Sequence, residues 1–136
     1  MTEELVINNA RSYTFGDSGR CLNTVRNHHF IVDDPEVGEQ MTPAEHFLAG
    51  VASCAANLIQ KTAGQTGVAL SRLDVDLTGV RLKSDTSRFQ HADMSFTFDG
   101  VSQAEADSLV EEYTRRCPLY GALALATTVN ISVTVS

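Results

Sequence analysis

The sequence predicts an α+β fold, in which strands and helices are grouped along the chain rather than regularly alternated. Three observations predict it. Two extended segments precede a long uncharged helical segment, two segments of alternating apolar and polar residues follow it, and two further helical segments come before a final strand. The chain has 136 residues, which is enough for one hydrophobic core, so we expect a single domain over residues 1–136.

A β-hairpin is predicted near the N-terminus. An uneven apolar alternation over residues 4–15 ends at Gly16-Asp17-Ser18-Gly19, which is a strong turn signal. A second extended segment follows and ends in His28-His29-Phe30-Ile31-Val32. Residues 33–40 are then expected to form a loop that leads into the long helix.

The long helix is predicted to begin after Thr42 and to end near Gly64 or Gly67. Thr42 and Glu45 have the spacing of a capping box, with Pro43 at the first helical position, where its missing N–H costs nothing. The middle of the helix has no charged residue and is apolar or small nearly all round, which predicts burial on most sides. This uncharged part is too short to span a membrane.

Two strands are predicted after the long helix, and a third ends the chain. Apolar and polar residues alternate over 73–77, 94–98 and 129–135, as they do in half-buried strands. The alternation of the first of these strands changes parity at Gly79, which predicts a β-bulge there.

Two helices are predicted between the second and third of these strands. Ser102-Gln103-Ala104-Glu105 is a second capping box, and it opens an amphipathic pattern over residues 106–113. Arg115 and Arg116 in the last turn complement the helix dipole. Pro118 ends this helix and is suited to be the first residue of a short helix that continues over 119–126.

Composition narrows the class of function. The net charge is −7, so no nucleic-acid partner is expected, because phosphate binding requires clustered Lys and Arg. The first residues contain neither the basic nor the apolar region of a signal peptide, so we expect a cytoplasmic protein with no membrane partner. In the cytoplasm Cys21, Cys54 and Cys117 should be reduced, and their spacing predicts no metal site.

Cys54 and Cys117 are the candidate reactive residues. Cys54 is flanked by Ala and Ser on the long helix, which leaves room for a molecule to approach its thiol. Cys117 precedes the short helix, where the positive end of the dipole and two adjacent arginines favour a thiolate. Free cysteine is also a common small core residue, and spacing alone leaves both interpretations open. Cys21 is expected to be a packing residue or an exposed one.

The segment Pro43-Ala44-Glu45-His46-Phe47-Leu48-Ala49-Gly50-Val51-Ala52-Ser53-Cys54 resembles a signature of the OsmC/Ohr family, P-x-E-L-L-L-A-A-L-G-G-C. This family comprises osmotically inducible and organic hydroperoxide resistance proteins. Residues 29–38 are similar to the family's usual approach to that helix, and Arg116-Cys117-Pro118-Leu119-Tyr120 resembles its second cysteine motif. The two motifs occur in the family's order, and the resemblance covers essentially the whole chain.

The resemblance implies an OsmC-like fold and an intertwined homodimer with two active sites near the subunit interface. It implies peroxidase chemistry, in which Cys54 attacks an organic hydroperoxide, becomes a sulfenic acid and condenses with Cys117 into a disulfide. An external dithiol or lipoyl-type reductant would reopen that disulfide, with no bound cofactor or metal. The family's activating arginine comes from the N-terminal hairpin, where Arg20 is the nearest match and Arg11 and Arg26 are alternatives.

One position departs from the family's pattern. Members with hydroperoxide reductase activity carry a glutamate ten residues before the reactive cysteine, but here that residue is Ala44, and Glu45 lies nine before Cys54. Nine helical residues turn through about 900°, so Glu45 faces away from Cys54 and is interpreted as part of the helix cap. The chain thus resembles the broad branch of the family more than its peroxidases. The alternative function is a non-catalytic dimeric module that binds a small apolar or acyl ligand in the same cleft.

Overall fold

The computed structural model describes residues 3–16 and 18–136. These residues form three helices and two three-stranded sheets, which is the mixed α+β class expected from the sequence. The chain divides into two compact units, Met1–His46 and Phe47–Ser136. None of the helices in the described part of the chain combines the length and the apolar character that crossing a membrane requires.

The N-terminal unit contains an antiparallel sheet in the order β1-β2-β3. Its strands are β1 (Arg11–Tyr13), β2 (Arg20–Val25) and β3 (His28–Asp33). The expected hairpin is present as β1 and β2, although β1 is much shorter than the extended segment predicted over 4–15. Asp17 of the predicted turn lies outside the described residues.

The second extended segment is two strands rather than one. β2 and β3 are joined at Arg26-Asn27, with Val25 paired to His28 across the turn. Arg26 has a positive φ of 53°, a conformation in which Asn, Asp and Gly are much more common than Arg. Because an arginine occupies this position, the sequence contained no strong turn signal, and the prediction of one extended segment was wrong.

α1 (Pro43–Thr66) begins and ends as its sequence predicts. The Glu45 N–H donates to Thr42 Oγ1 at 3.3 Å, and the Thr42 N–H donates to Glu45 Oε1 at 2.9 Å, which confirms the capping box. Gly67 follows the helix with a φ of 74°, and the Val68 N–H donates to the Ala63 carbonyl at 2.9 Å. This left-handed glycine closes the last turn of α1.

In the single chain, α1 is buried along one face. The buried residues of the helix are Val51, Ala55, Ile59, Thr62 and Ala63. Phe47 is 42% exposed, and Ala49, Ser53 and Asn57 are also exposed. Burial on most sides, predicted from the apolar composition, is therefore not reached within one chain. Over residues 47–59 the exposed positions of the helix are apolar or small except at Asn57, whereas Gln60 and Lys61 after them are exposed and polar.

The C-terminal unit contains the sheet β4-β5-β6. β4 (Arg72–Val80) runs antiparallel to β5 (His91–Asp99), and β6 (Thr128–Val135) runs parallel to β5. Between β5 and β6 the chain forms α2 (Gln103–Arg116) and α3 (Pro118–Ala126). A parallel strand pair needs a long crossover, and these two helices provide it.

Both of these helices begin where the sequence predicts. Ser102 and Glu105 exchange the two hydrogen bonds of a capping box at the start of α2, and Pro118 is the first residue of α3. Side chains from α1, α2 and β5 form the hydrophobic core of the unit. The largest of its fully buried members are Tyr113, Phe96, Phe98, Ile59 and Met94.

The β-bulge predicted at Gly79 is absent. Gly79 pairs with Ala92 in the unbroken register of β4 and β5. A Cβ atom at Gly79 would lie 2.5 Å from the ring of Phe89. The glycine is thus explained by the close approach of Phe89, and the change of parity in the sequence marks the chain leaving the strand after Val80.

Candidate active site

Two sulfur atoms from distant parts of the sequence meet in the C-terminal unit. Cys54 Sγ lies 3.0 Å from Cys117 Sγ. Both cysteines are free thiols. The separation suits a hydrogen bond between the two thiols, and it exceeds the length of a disulfide bond by only about 1 Å. The two cysteines singled out from the sequence are therefore direct neighbours.

α1 places Cys54 beside its buried face. Val51 and Ala55 on that face are completely buried, whereas Cys54 is half-buried. Ser53 is exposed, and its hydroxyl turns back to donate to the Gly50 carbonyl at 3.2 Å. The sulfur of Cys54 thus lies at the margin of the core, where part of its side chain is still accessible to solvent.

Cys117 lies at the junction of α2 and α3. Its backbone N–H donates to the Tyr113 carbonyl at 3.0 Å, which ends α2. Its sulfur accepts a hydrogen bond from the Tyr120 N–H at 3.5 Å, so its side chain caps the N-terminus of α3. Cys117 is 4% exposed, which makes Cys54 the more accessible of the two thiols.

The environment of Cys54 favours the protonated thiol. Burial is the largest cause that raises the pKa of Cys54 to about 11, and a hydrogen bond and charge repulsion from the neighbouring Cys117 contribute the rest. At neutral pH the protonated thiol is then the predominant form of Cys54. Because the thiolate is the nucleophile, a positive charge near the sulfur is needed for fast reaction at neutral pH.

Arg20 lies in the N-terminal unit and pairs with Asp33 across β2 and β3. Its Nε and Nη2 donate to the two carboxylate oxygens of Asp33 at 2.7 and 2.8 Å, and Nη2 also donates to Glu39 at 2.9 Å. The Asp33 side chain is completely buried and also accepts from the backbone N–H groups of Glu39 and Gln40. These hydrogen bonds, with that from Arg20 the largest cause, lower the pKa of Asp33 to about 2.

Asp33 is a residue of this cluster that the sequence reasoning missed. The one feature of the sequence that could have identified Asp33 is the strand register, which places Arg20 opposite Asp33 once the turn at Arg26 is known. Two carboxylates surround one guanidinium, so the charge of Arg20 is already compensated within its own unit. The other hairpin arginines differ, because Arg11 lies 4.6 Å from the centroid of the Tyr13 ring and Arg26 forms the turn.

Glu45 and Cys21 have contacts that explain them structurally. Hydrogen bonds from Thr42 lower the pKa of the Glu45 carboxyl, in keeping with its place in the helix cap. The Cys21 sulfur lies 3.8 Å from the Val32 carbonyl and 3.6 Å from Asn23 Nδ2, as expected for a packing residue. Within the described ranges, no three His, Cys, Asp or Glu side chains are grouped as metal ligands would be.

Comparisons with known proteins agree with the fold. The model of the OsmC-like protein family matches residues 36–132. A comparison with curated proteins found no match. An OsmC-like protein from Mycoplasma pneumoniae is similar over 96% of this chain and 97% of its own, with 17% identity and a TM-score of 0.85.

Two further solved structures carry names that refer to organic hydroperoxides. The organic hydroperoxide resistance protein OsmC from Legionella pneumophila is 22% identical, over 98% of this chain and 100% of its own, with a TM-score of 0.75. The organic hydroperoxide resistance protein OhrB of Bacillus subtilis is 16% identical, over 96% and 100%, with a TM-score of 0.71. The family model matches more than half of the present chain, and the chain therefore belongs to the OsmC-like protein family.

Proposed function

We propose that this protein is a thiol-dependent peroxidase that reduces organic hydroperoxides in the cytoplasm as a defence against peroxide stress. The observation that carries the proposal is the 3.0 Å separation of Cys54 Sγ and Cys117 Sγ. A sulfenic acid formed on one sulfur would meet the other thiol at once and condense with it before further oxidation. Membership of the family and the names of two structural relatives support the same chemistry.

The order of attack follows from access. Cys54 is half-buried whereas Cys117 is 4% exposed, so a hydroperoxide reaches Cys54 first. Cys117 at the N-terminus of α3 is suited to be the resolving thiolate, because the helix dipole and the Tyr120 N–H both stabilise negative charge on its sulfur. Access to the peroxide, more than acidity, decides which sulfur is struck.

The proposed cycle has three steps. The Cys54 thiolate attacks the terminal oxygen of the hydroperoxide, the O–O bond breaks, the alkoxide takes a proton from water and leaves as the alcohol, and Cys54 becomes a sulfenic acid. The Cys117 thiolate then attacks the Cys54 sulfur, the S–O bond breaks, an S–S bond forms, and the departing hydroxide takes a proton from solvent to become water. An external dithiol or lipoyl-type reductant finally reduces the disulfide by exchange and is itself oxidised to a disulfide. The cycle uses no bound cofactor.

We propose that Arg20 activates Cys54 by stabilising its thiolate. A thiol whose pKa is raised to about 11 needs a cation beside it. The two carboxylate partners of Arg20 engage its Nε and Nη2, so the Nη1 N–H groups are free of these bonds and suited to face a thiolate. We propose that Arg20 acts in this way within a homodimer.

A second function is favoured by two observations. The raised pKa of Cys54 keeps its thiol protonated, and Asp33 and Glu39 already compensate the charge of Arg20. Both observations fit a dimeric module that binds a small apolar or acyl ligand beside the same sulfur atoms and performs no redox chemistry.

Peroxide consumption separates the two functions. The protein is assayed with dithiothreitol or dihydrolipoamide as reductant, and with cumene hydroperoxide, a fatty-acid hydroperoxide or hydrogen peroxide as substrate. We expect turnover with a preference for the organic hydroperoxides, and none in Cys54→Ser. If no peroxide is consumed with either reductant and Cys54 alkylates at the rate of an ordinary thiol, the peroxidase is ruled out in favour of the ligand-binding module.

A further inference from the structure

Tyr113 is a buried phenol that the proposed cycle does not use. Tyr113 is 1% exposed and lies on α2 one helical turn before Cys117. The backbone N–H of Cys117 donates to the Tyr113 carbonyl. Its ring centroid lies 5.8 Å from that of Phe96 and 5.5 Å from that of Tyr120. The Cys117 sulfur accepts a hydrogen bond from the backbone N–H of Tyr120. Tyr113 therefore packs against the first turn of α3, which Cys117 caps.

Among the residues that the structure describes, the hydroxyl of Tyr113 has only a weak acceptor. It donates to Met94 Sδ at a distance of 3.8 Å. A thioether sulfur is a poor acceptor, and a buried hydroxyl normally pairs with a stronger one. Within the described part of the chain, the phenol is therefore a donor held in the core without a strong partner.

The ionisation of Tyr113 is linked to the two cysteines. Burial raises its pKa, and negative charge on the nearby sulfurs of Cys117 and Cys54 raises it further. The phenol consequently stays protonated when a thiolate forms nearby. Hydrogen bonds to a charged acceptor are roughly twice as strong as those between neutral groups. A thiolate at Cys117 is thus a much better acceptor for this hydroxyl than Met94.

We propose that Tyr113 is a positioning residue whose hydroxyl leaves Met94 and donates a hydrogen bond to the Cys117 thiolate. The Cys117 sulfur also accepts a hydrogen bond from the Tyr120 N–H, and the two hydrogen bonds together hold the thiolate beside Cys54 Sγ. The inference rests on the proposed function, because it assigns Tyr113 to the step in which Cys117 attacks the Cys54 sulfenic acid. The same bond stabilises the reduced pair, so it also makes the disulfide easier to reduce.

Tyr113→Phe tests the inference by removing the hydroxyl and keeping the ring. Losing a hydrogen bond to the charged sulfur should lower the fraction of Cys117 that is thiolate by about tenfold. Since the less stabilised thiolate is also more nucleophilic, disulfide closure after a peroxide pulse near neutral pH should slow by only about threefold. At a pH above the usual titration range of cysteine, the disulfide should become severalfold more stable in equilibrium with dithiothreitol.

These two changes have opposite signs, which a packing defect does not produce. A loosened core slows closure and weakens the disulfide together. Tyr13→Phe is the matched control, because it makes the same change on β1 in the N-terminal unit, and neither measurement should change in it. Unchanged closure and unchanged equilibrium in Tyr113→Phe, or changes of the same sign, would overturn the inference.

A second measurement does not depend on how well the Phe variant folds. 3-Fluorotyrosine has nearly the size of tyrosine and is a stronger hydrogen-bond donor. In a Tyr13→Phe/Tyr120→Phe background it replaces Tyr113 alone. Relative to the unlabelled background, closure should become faster and the disulfide less stable. Shifts in the other direction, or none, would contradict the assignment.

Diamide separates this inference from the proposed function, because it oxidises thiol pairs without a peroxide. If the pair closes with diamide and fails to close with any organic hydroperoxide, the peroxidase is ruled out. The dithiothreitol equilibrium then remains the test of Tyr113. If the pair never closes with either oxidant, both proposals are wrong.

Discussion

At the residue scale, the two thiols of the site have different environments and should react differently. Cys54→Ser should abolish peroxide consumption, because the accessible sulfur is lost. Cys117→Ser should still permit a first oxidation, but Cys54 should then advance to sulfinic or sulfonic acid on repeated exposure, since no thiol resolves it. Intact mass spectrometry after one equivalent of peroxide should show loss of two hydrogens in the wild type and added oxygen on the Cys54 peptide of Cys117→Ser. Oxygen on Cys21, or oxygen in Cys54→Ser alone, would reverse the assignment.

Asp33 makes a second residue-scale prediction, about acid stability. Its pKa is lowered from 3.8 to about 2 by Arg20 and by two backbone N–H groups, so the folded state favours its ionised form. The resulting stability is complete above the unfolded value and is lost as the pH falls from about 4 through about 2. Asp33→Asn should lower the free energy of unfolding at pH 7 and remove much of this acid-dependent loss.

Urea denaturation followed by circular dichroism between pH 2 and pH 7 measures the effect. Asp34→Asn is the matched control, since Asp34 is exposed and its Oδ1 accepts from the Glu36 N–H, which an asparagine can also do. The control should keep the acid-dependent loss of the wild type. An Asp33→Asn protein with unchanged stability at pH 7 would show that the buried pair with Arg20 contributes nothing to folding.

At the element scale, α1 depends on its first turn. Glu45→Gln retains a side chain that can accept from the Thr42 N–H but loses the charge that favours the helix N-terminus. We expect a small fall in melting temperature and little change in the rate of peroxide reduction. Glu45→Ala, which also loses the hydrogen bond, should lower the melting temperature more. A large fall in peroxidase rate without a fall in melting temperature would instead identify Glu45 as a catalytic residue.

At the scale of the whole molecule, the uncovered face of α1 predicts a homodimer that does not separate into folded monomers. Ala49 and the half-covered Phe47 leave apolar surface in solvent, with the small Ser53 on the same helix, and a second chain would bury it. Light scattering at low micromolar concentration should give the mass of a dimer. Ala49→Glu should weaken the dimer, whereas Ser108→Glu on the exposed side of α2 should not. A monomeric mass with unchanged circular dichroism would contradict this prediction.

The sequence by itself determined the features that depend on neighbouring residues. The capping boxes at Thr42 and Ser102 and the proline at the start of α3 all lie where the chain predicts them, because a cap is made within one helical turn. The same holds for the amphipathic pattern of α2 and for the alternation in β5 and β6. Both cysteines were identified in this way, since each belongs to a local motif.

Only the tertiary structure decided the features that depend on distant residues. The short distance between Cys54 and Cys117 and the parallel pairing of β5 with β6 join segments far apart in the chain, and the close approach of Phe89 to Gly79 depends on how the chain folds back between β4 and β5. The pairing of Arg20 with Asp33 followed from a turn that an arginine forms, where local preference gives little signal. Local preference acts over a few residues, whereas register and side-chain contact are set when the whole unit packs, and for that reason the geometry of the site came from the fold.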